Sequence, residues 1–189
     1  GRSLVDRSEE PLRRFGEVAR NRGDAKFADQ CAREADLLRA NLAKHGWDGG
    51  WYRRAYFDDG TPLGSAENEE CRIDSISQSW SVLSGAGDAE RSHLAMAAVQ
   101  AKLVRREDGL VQLLDPPFST SSLNPGYIRG YVPGVRENGG QYTHAAIWAA
   151  MAHAALGHAG DAWEIMNLIN PVNHGRTADQ VAVYKVEPY

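Results

Sequence analysis

Hydrogen-bonding side chains are concentrated in the segment GVRENGGQYTHAA, residues 134–146. Six of them lie just before or at the start of an alanine-rich apolar stretch that predicts a helix: Arg136, Glu137, Gln141, Tyr142, Thr143 and His144. A helix N-terminus offers free backbone N–H groups and a positive dipole end, so Thr143 and His144 with a nearby arginine predict a phosphate or oxyanion site. The alternative, which the residues alone leave open, is that Thr143 is a simple N-cap and His144 a buried histidine with satisfied hydrogen bonds.

A second polar segment, GWDGGWYRRAYFDDGTPLGSAENEECRID at residues 46–74, is unusually rich in aromatic side chains. Aromatic rings stack on the apolar face of a pyranose while charged groups bind its hydroxyls, so Trp51 and Tyr56 are candidate sugar ligands. The segment could equally be a compact loop packed under its own rings. Gln78, in the helical pattern that follows, is a further candidate ligand, whereas Trp80 beside it is predicted to lie in the core. The Asp-Gly pair in FDDGTPLG predicts a small β-hairpin.

These segments are connected by a helical framework that contains the tripeptide Gly-Asp-Ala three times, at residues 23–25, 87–89 and 160–162. Glycine is favoured just past a helix end and aspartate is a favoured N-cap, so each tripeptide predicts a tight turn between antiparallel helices. The predicted helices are 9–20, 24–45, 74–85, 88–104, 142–157 and 161–169. Three αα-hairpins in series are typical of a helical repeat or toroid.

The hairpins are joined by two long connections, roughly 46–73 and 105–141, and structureless loops of this length are uncommon unless they are functional. Both must emerge on the same face of the helical array, and we expect the chemistry there. The chain is therefore predicted to be all-α, with three αα-hairpins, long loops on one face and one small β-hairpin.

Bulk composition excludes some classes of function. The net charge is −4 with a pI near 5.9, which argues against a nucleic-acid partner. No apolar run approaches the ~20 residues that span a bilayer, and no signal-peptide core precedes the first helix, so direct membrane insertion is not expected. Cys31 and Cys71 are predicted to be free thiols in a reducing, cytoplasmic compartment. The histidines share no ligand spacing with cysteine or aspartate, so no metal site is predicted.

Four blocks of the sequence together carry a family resemblance: GWDGGWYRRAYFDDGTPLGS, ENEECRIDSISQSWSVLSG, GYIRGYVPGVRENGGQYTHAAIW and YKVEPY. They resemble glycoside hydrolase family 94, from about residue 12 to the end of the chain. Within the family, the sequences of these blocks are most similar to the C-terminal region of cyclic β-1,2-glucan synthases and to 1,2-β-oligoglucan phosphorylases.

The resemblance implies an (α/α)6 barrel, of which three hairpins are half, so residues 1–189 are expected to be one domain that is a fragment of a larger catalytic domain. It also implies phosphorolysis of a β-glucosidic bond with inversion, using inorganic phosphate as co-substrate and no cofactor. Glu137 would bind the acceptor-side sugar, His144 would bind phosphate, and Gln141 and Tyr142 would line the same pocket. For a cyclic glucan synthase, the parent protein could be associated with the inner membrane.

The chain departs from the family pattern in one respect that bears on catalysis. The family's general-acid aspartate lies in a GDWNDG motif, which does not occur in this sequence, and Asp48 matches a different block. We therefore expect the isolated chain to lack the acid and to associate with itself or with the remaining half of the domain. Two alternatives are a toroid hydrolase or lyase that uses paired carboxylates, such as Asp48 and Glu70, and a non-catalytic carbohydrate-binding module.

Overall fold

The computed structural model describes residues 9–184, and the end of the YKVEPY block lies outside them. The helices are α1 (Glu9–Asn21), α2 (Ala25–Asn41), α3 (Ser75–Leu83), α4 (Ala89–Lys102), α5 (Thr143–Ala155), α6 (Ala159–Leu168) and α7 (Ala178–Tyr184). A π-helical turn (Leu42–Gly46) follows α2, and 3-10 turns occur at Gly126–Gly130 and Pro171–His174. The strands have two residues each: β1 (Ala55–Tyr56), β2 (Pro62–Leu63), β3 (Ile73–Asp74), β4 (Val104–Arg105), β5 (Leu110–Val111) and β6 (Leu114–Asp115).

The predicted all-α class and the three αα-hairpins are confirmed, because α1–α2, α3–α4 and α5–α6 each join through a short turn. In the first turn Gly23 adopts a left-handed φ of 86°, and the Asp24 carboxylate caps α2 by accepting a hydrogen bond from the Phe27 N–H. In the second turn the Asp88 carboxylate caps α4 through the Arg91 N–H. Two of the three Gly-Asp-Ala tripeptides therefore form the turns that the sequence predicts.

The interpretation of the third Gly-Asp-Ala tripeptide is wrong in detail. Gly157 supplies the left-handed residue, His158 is the N-cap, and Gly160 and Asp161 lie inside the first turn of α6. Asp161 is thus one turn too late to cap the helix. Its carboxylate lies instead near the imidazoles of His153 and His158.

Both long connections lie on the same face of the helical array, as predicted. Strand β3 from the first pairs antiparallel with β6 from the second, Ile73 opposite Asp115 and Asp74 opposite Leu114. The predicted hairpin at FDDGTPLG is also present, with β1 paired to β2 around Gly60. Neither the pairing of β3 with β6 nor a third ladder, β4 with β5, was predicted from the sequence.

The main core lies among α3, α4, α5 and α6 together with the short strands. Small residues of α5 allow α3 and α6 to pack closely against it, since Ala145, Ala146, Ala149, Ala150 and Ala152 are all buried. Trp80 packs against a second cluster of Leu42, Tyr52, Ala86 and Ala95, which confirms its predicted core position. Leu94, which completes a helical apolar pattern in the sequence, is 49% exposed.

The two cysteines are free, as expected, and the structure shows that both are buried. Burial raises the pKa of the Cys71 thiol well above its usual value. Among residues 9–184, no helix combines the length and apolar character needed to cross a membrane.

Candidate functional site

The segment around Glu137 is held by Asn138, a residue that the sequence analysis did not single out. Asn138 is fully buried, and its side-chain Nδ2 donates hydrogen bonds to the carbonyls of Phe118 and Tyr131, both at 2.8 Å. Its Oδ1 accepts a hydrogen bond from the Phe118 N–H at 2.7 Å. One carboxamide therefore joins three parts of the second long connection and fixes the backbone next to Glu137.

The two glycines that follow Asn138 are required by close packing of the backbone. Gly139 has a φ of 83°, and a Cβ there would lie 2.7 Å from the side chain of Pro117. A Cβ on Gly140 would lie 2.9 Å from both the Arg136 nitrogen and the Gly134 oxygen. The ENGG sequence thus allows the chain to turn back on itself within a few residues.

Glu137 presents a buried carboxylate oxygen that is not satisfied. Its side chain is 18% exposed, and its Oε2 atom is buried without a hydrogen-bond donor among the described residues. The nearest ion-pair partner is Arg136 Nε at 3.6 Å, beyond hydrogen-bond distance. A buried carboxylate oxygen without a donor is costly, so this atom is available for a hydroxyl of a bound molecule.

Arg136 has the backbone geometry of a residue held in place by its surroundings. Its φ is 51°, in the left-handed region that non-glycine residues rarely adopt. Its guanidinium lies 5.0 Å from the ring centroid of Tyr131.

The start of α5 differs from the simple capping alternative. Tyr142 is the N-cap and makes no side-chain capping hydrogen bond, while Thr143 is already the first helical residue. His144 is exposed, so the interpretation of it as a buried, satisfied histidine is wrong. The His144 ring lies 5.7 Å from Tyr142 and 6.4 Å from Trp148 between centroids, which places it in a row of aromatic rings.

Gln141 connects the segment to the neighbouring ladder. Its Oε1 accepts a hydrogen bond from the Val111 N–H at 3.2 Å, and the adjacent Gly140 carbonyl accepts one from Leu113 at 2.9 Å. These contacts fix the direction in which the chain enters α5.

The aromatic candidates of the first connection lie in two separate clefts. Trp51 donates through Nε1 to the carbonyls of Gly64 and Arg72, and its ring forms part of a cleft of about 380 Å³. Tyr56 donates its hydroxyl proton to the His45 carbonyl and accepts a hydrogen bond from Arg53. Tyr56 lines a larger cleft of about 540 Å³ between the two long connections. The two rings therefore do not share one cleft.

The side chain of Gln78 has a structural role. It is fully buried, its Oε1 accepts from the Tyr52 N–H at 2.7 Å, and its Nε2 donates to the carbonyls of Tyr52 and Asp74. All of these contacts are to backbone, so Gln78 fixes the first connection to α3. Direct contact with a sugar would require some of them to break.

The cleft that Tyr56 lines also contains an ion pair that the sequence analysis missed. Arg54 Nε lies 3.5 Å from the Asp74 carboxylate, and Asp74 is the buried N-cap of α3. Burial raises the pKa of Asp74, although Arg54 and the N–H groups of Ile76 and Ser77 act in the opposite direction. Only the pairing of β3 with β6 brings this carboxylate to the wall of the cleft.

Asp48 and Glu70, the carboxylates of the hydrolase alternative, each take part in a structural hydrogen-bond network. Asp48 accepts hydrogen bonds from Arg53, Ser65 and Ala66. Glu70 accepts from the N–H groups of Thr120 and Ser121 at 2.8 and 3.2 Å. Neither arrangement resembles a pair of carboxylates that face a shared substrate.

The described geometry combines an all-α hairpin array with a loop face that carries a buried carboxylate oxygen without a hydrogen-bond donor and an exposed histidine. Comparison with known families agrees with this description: the model of the glycosyl hydrolase 94 superfamily catalytic domain matches residues 10–189. The chain therefore belongs to glycoside hydrolase family 94.

Several characterised relatives support the assignment. The chain is 53% identical to the cyclic beta-(1,2)-glucan synthase NdvB of Rhizobium meliloti (strain 1021) over 178 residues, 94% of this chain and 6% of that protein. It is 34% identical over 80% of its length to the 3-O-beta-D-glucopyranosyl-beta-D-glucuronide phosphorylase of Paenibacillus borealis. It is 34% identical over 94% of its length to the N,N'-diacetylchitobiose phosphorylase of Vibrio furnissii. The matches cover 19% and 22% of those two phosphorylases, so the chain spans a small part of each relative.

Proposed function

We propose that this chain forms the acceptor-sugar side and part of the phosphate side of a phosphorylase-type active site that cleaves β-1,2-linked glucooligosaccharides. The observation that supports the proposal best is the buried Oε2 of Glu137, which has no hydrogen-bond donor among the described residues and lies seven residues before the exposed His144 at the start of α5. Relatives that are named as a β-1,2-glucan synthase and as glycoside phosphorylases point to the same class of reaction.

In this reaction inorganic phosphate attacks the anomeric carbon from the face opposite the glycosidic bond. The bond from that carbon to the leaving oxygen breaks, a carbon–oxygen bond to phosphate forms, and one protein acid gives its proton to the leaving oxygen. The products are glucose 1-phosphate and a shortened oligosaccharide. Phosphate is the nucleophile, so no second carboxylate is needed to activate water.

Two groups of this chain have defined roles in the proposal. Glu137 Oε2 accepts a hydrogen bond from a hydroxyl of the acceptor-side sugar, which satisfies an otherwise costly buried oxygen. His144 and Thr143, beside the positive end of α5, bind the phosphate oxygens. Gln141, Tyr142 and Arg136 position this segment and line the pocket. The proposal does not depend on Trp51, Tyr56 or Gln78. That these three residues contact the sugar stays a prediction.

The general acid is proposed to come from a part of the domain that this sequence does not contain. The GDWNDG motif is absent from residues 1–189, and the described carboxylates of Asp48 and Glu70 are engaged in structural hydrogen bonds. The remaining half of the domain is thus a required partner. We also propose a cytoplasmic location, because both thiols are free and buried.

The assignment of Glu137 and His144 is tested in a parent protein that contains the complete catalytic domain, by measuring glucose 1-phosphate release. His144→Asn is expected to raise the KM for phosphate about tenfold or more while the KM for oligosaccharide changes little. Glu137→Gln is expected to raise the KM for oligosaccharide while the KM for phosphate changes little. The proposal is overturned if both substitutions leave both KM values unchanged, or if the unsubstituted protein cleaves the oligosaccharide equally well without phosphate.

The proposal that this chain carries only part of the active site, without the general acid, is tested with the isolated chain. We expect no glucose 1-phosphate from β-1,2-glucooligosaccharides and phosphate, and release after the remaining half of the domain is added. Release by the chain alone would mean that an acid lies within residues 1–189 and would make Asp48 or Glu70 the first residues to substitute.

A further inference from the structure

A cluster of ligand-type side chains lies at the other end of α5, away from the proposed sugar and phosphate site. His153 is near the end of α5, His158 is the N-cap of α6, and Asp161 lies in the first turn of α6. His153 lies nine positions after His144, which corresponds to about 14 Å along the helix axis. The cluster is therefore a different site from the one described above.

Three atoms of this cluster converge. His153 Nδ1 lies 3.4 Å from His158 Nδ1 and 3.7 Å from Asp161 Oδ2, and His158 Nδ1 lies 3.9 Å from the same oxygen. A triangle with these three sides has a circumradius of about 2.1 Å, the length of a bond from Zn²⁺ to an imidazole nitrogen or a carboxylate oxygen. A single ion near the centre of the triangle would reach all three atoms without movement of the backbone.

The second ring nitrogens face partners that can orient the imidazoles. His158 Nε2 lies 3.2 Å from His93 Nδ1, so a proton on Nε2 leaves the His158 Nδ1 lone pair facing the cluster. His153 Nε2 lies 3.3 Å from the carboxamide of Gln100. When the Gln100 carboxamide is rotated so that its oxygen faces His153 Nε2, Nε2 carries the proton and donates it in a hydrogen bond to that oxygen. The lone pair of His153 Nδ1 is then also available to bind a cation. Arg106 then loses its hydrogen bond to the Gln100 side chain but keeps both oxygens of Glu164.

The surroundings suit an ion with an open coordination position. His153 is 1% exposed, whereas the side chains of His158 and Asp161 are 35% and 45% exposed, so an ion could enter from solvent. The three residues line a cleft of about 360 Å³, bounded on the other side by α4. That volume holds a water molecule as a fourth ligand.

We propose that His153, His158 and Asp161 form a binding site for one divalent transition-metal ion, with Zn²⁺ as the best match to the two-nitrogen, one-oxygen ligand set. The ion would join the end of α5 to the start of α6. Sequence spacing alone predicts no metal site, because the ligands become neighbours only when the turn places Asp161 inside α6 instead of at its N-cap.

The test is metal binding to the untagged, chelator-treated chain at pH 7.5, measured by calorimetry with Zn²⁺ and by visible absorption with Co²⁺. We expect one equivalent of either ion, a Co²⁺ spectrum of low coordination number, and a higher Tm with Zn²⁺. Asp161→Asn and His158→Gln should each weaken binding at least tenfold, while His45→Gln, an exposed histidine outside the cluster, should bind as the unsubstituted chain does.

Circular dichroism of each variant without metal shows whether the fold is retained. Asp161→Asn changes a half-exposed position, so it keeps the test valid if His158→Gln is poorly folded. The proposal is overturned if the unsubstituted chain shows no saturable binding of either ion. It is also overturned if folded Asp161→Asn protein binds as tightly as the unsubstituted chain, in which case the cluster is a hydrogen-bonded group of side chains without a metal.

Discussion

Single residues of the ENGG segment determine where Glu137 is placed. Gly140→Ala puts a methyl group within 2.9 Å of backbone atoms of Gly134 and Arg136, and backbone cannot move aside as a flexible side chain can. We expect a loss of about 1–3 kcal/mol in the free energy of unfolding, measured by urea denaturation. Gly130→Ala is the matched control, because a Cβ there meets no atom within 4 Å. Equal stability of the two variants would show that the segment does not need its close turn.

Glu70 gives a residue-scale prediction with a defined pH dependence. Burial favours the neutral acid, but hydrogen bonds from backbone N–H groups of Thr120, Ser119 and Ser121 outweigh it and lower the pKa of Glu70. A lowered folded-state pKa means that the carboxylate stabilises the fold above its unfolded-state pKa, near 4.3, and that this stability is lost as pH falls through the folded-state pKa.

Glu70→Gln should therefore lower the free energy of unfolding at pH 7 by about 1–3 kcal/mol, since an amide oxygen accepts fewer and weaker hydrogen bonds than a carboxylate. The difference from the unsubstituted chain should shrink as pH falls below about 4. Glu69→Gln, at the adjacent exposed position, should change stability little at either pH. A pH-independent difference for Glu70→Gln would contradict the role assigned to the charge.

At the scale of helices and turns, the three Gly-Asp-Ala tripeptides allow a direct comparison. Asp24 caps α2, whereas Asp161 lies inside α6 and caps nothing. In the presence of a chelator, Asp24→Ala should cost about 1 kcal/mol and Asp161→Ala clearly less. Thermal or urea unfolding measures both. Similar costs would mean that Asp161 stabilises the start of α6 as strongly as a true cap does.

At the scale of the whole molecule, the outer hairpins carry apolar side chains that are largely exposed. Trp163 and Met166 of α6 are 70% and 45% exposed, and Phe15 and Val18 of α1 are 57% and 53% exposed. In a closed toroid such surfaces would face neighbouring hairpins. We infer that these residues are the contact surface for the remaining half of the domain.

The isolated chain is therefore expected to self-associate through these surfaces. Light scattering at two protein concentrations should show species larger than the 20.7 kDa monomer. The double substitution Trp163→Lys and Met166→Lys should shift the distribution towards monomer while circular dichroism stays unchanged. A monodisperse monomer for the unsubstituted chain would contradict the inference.

The sequence by itself determined six of the seven helices in residues 9–184, two of the three turns, the Asp-Gly hairpin and the family, because these depend on local propensity and on short contiguous motifs, whereas α7 (Ala178–Tyr184) was not predicted. Helix bounds such as Ala89–Lys102 differ from prediction by only a few residues for the same reason. Asn138, the Arg54–Asp74 pair and the His153 cluster could not be predicted, since each depends on contacts between residues distant in sequence or on the phase of one turn. The sequence also left open whether His144 is buried. Tertiary packing decided this question by burying the alanine face of α5 and leaving His144 beside the aromatic rings at the loop end of the helix.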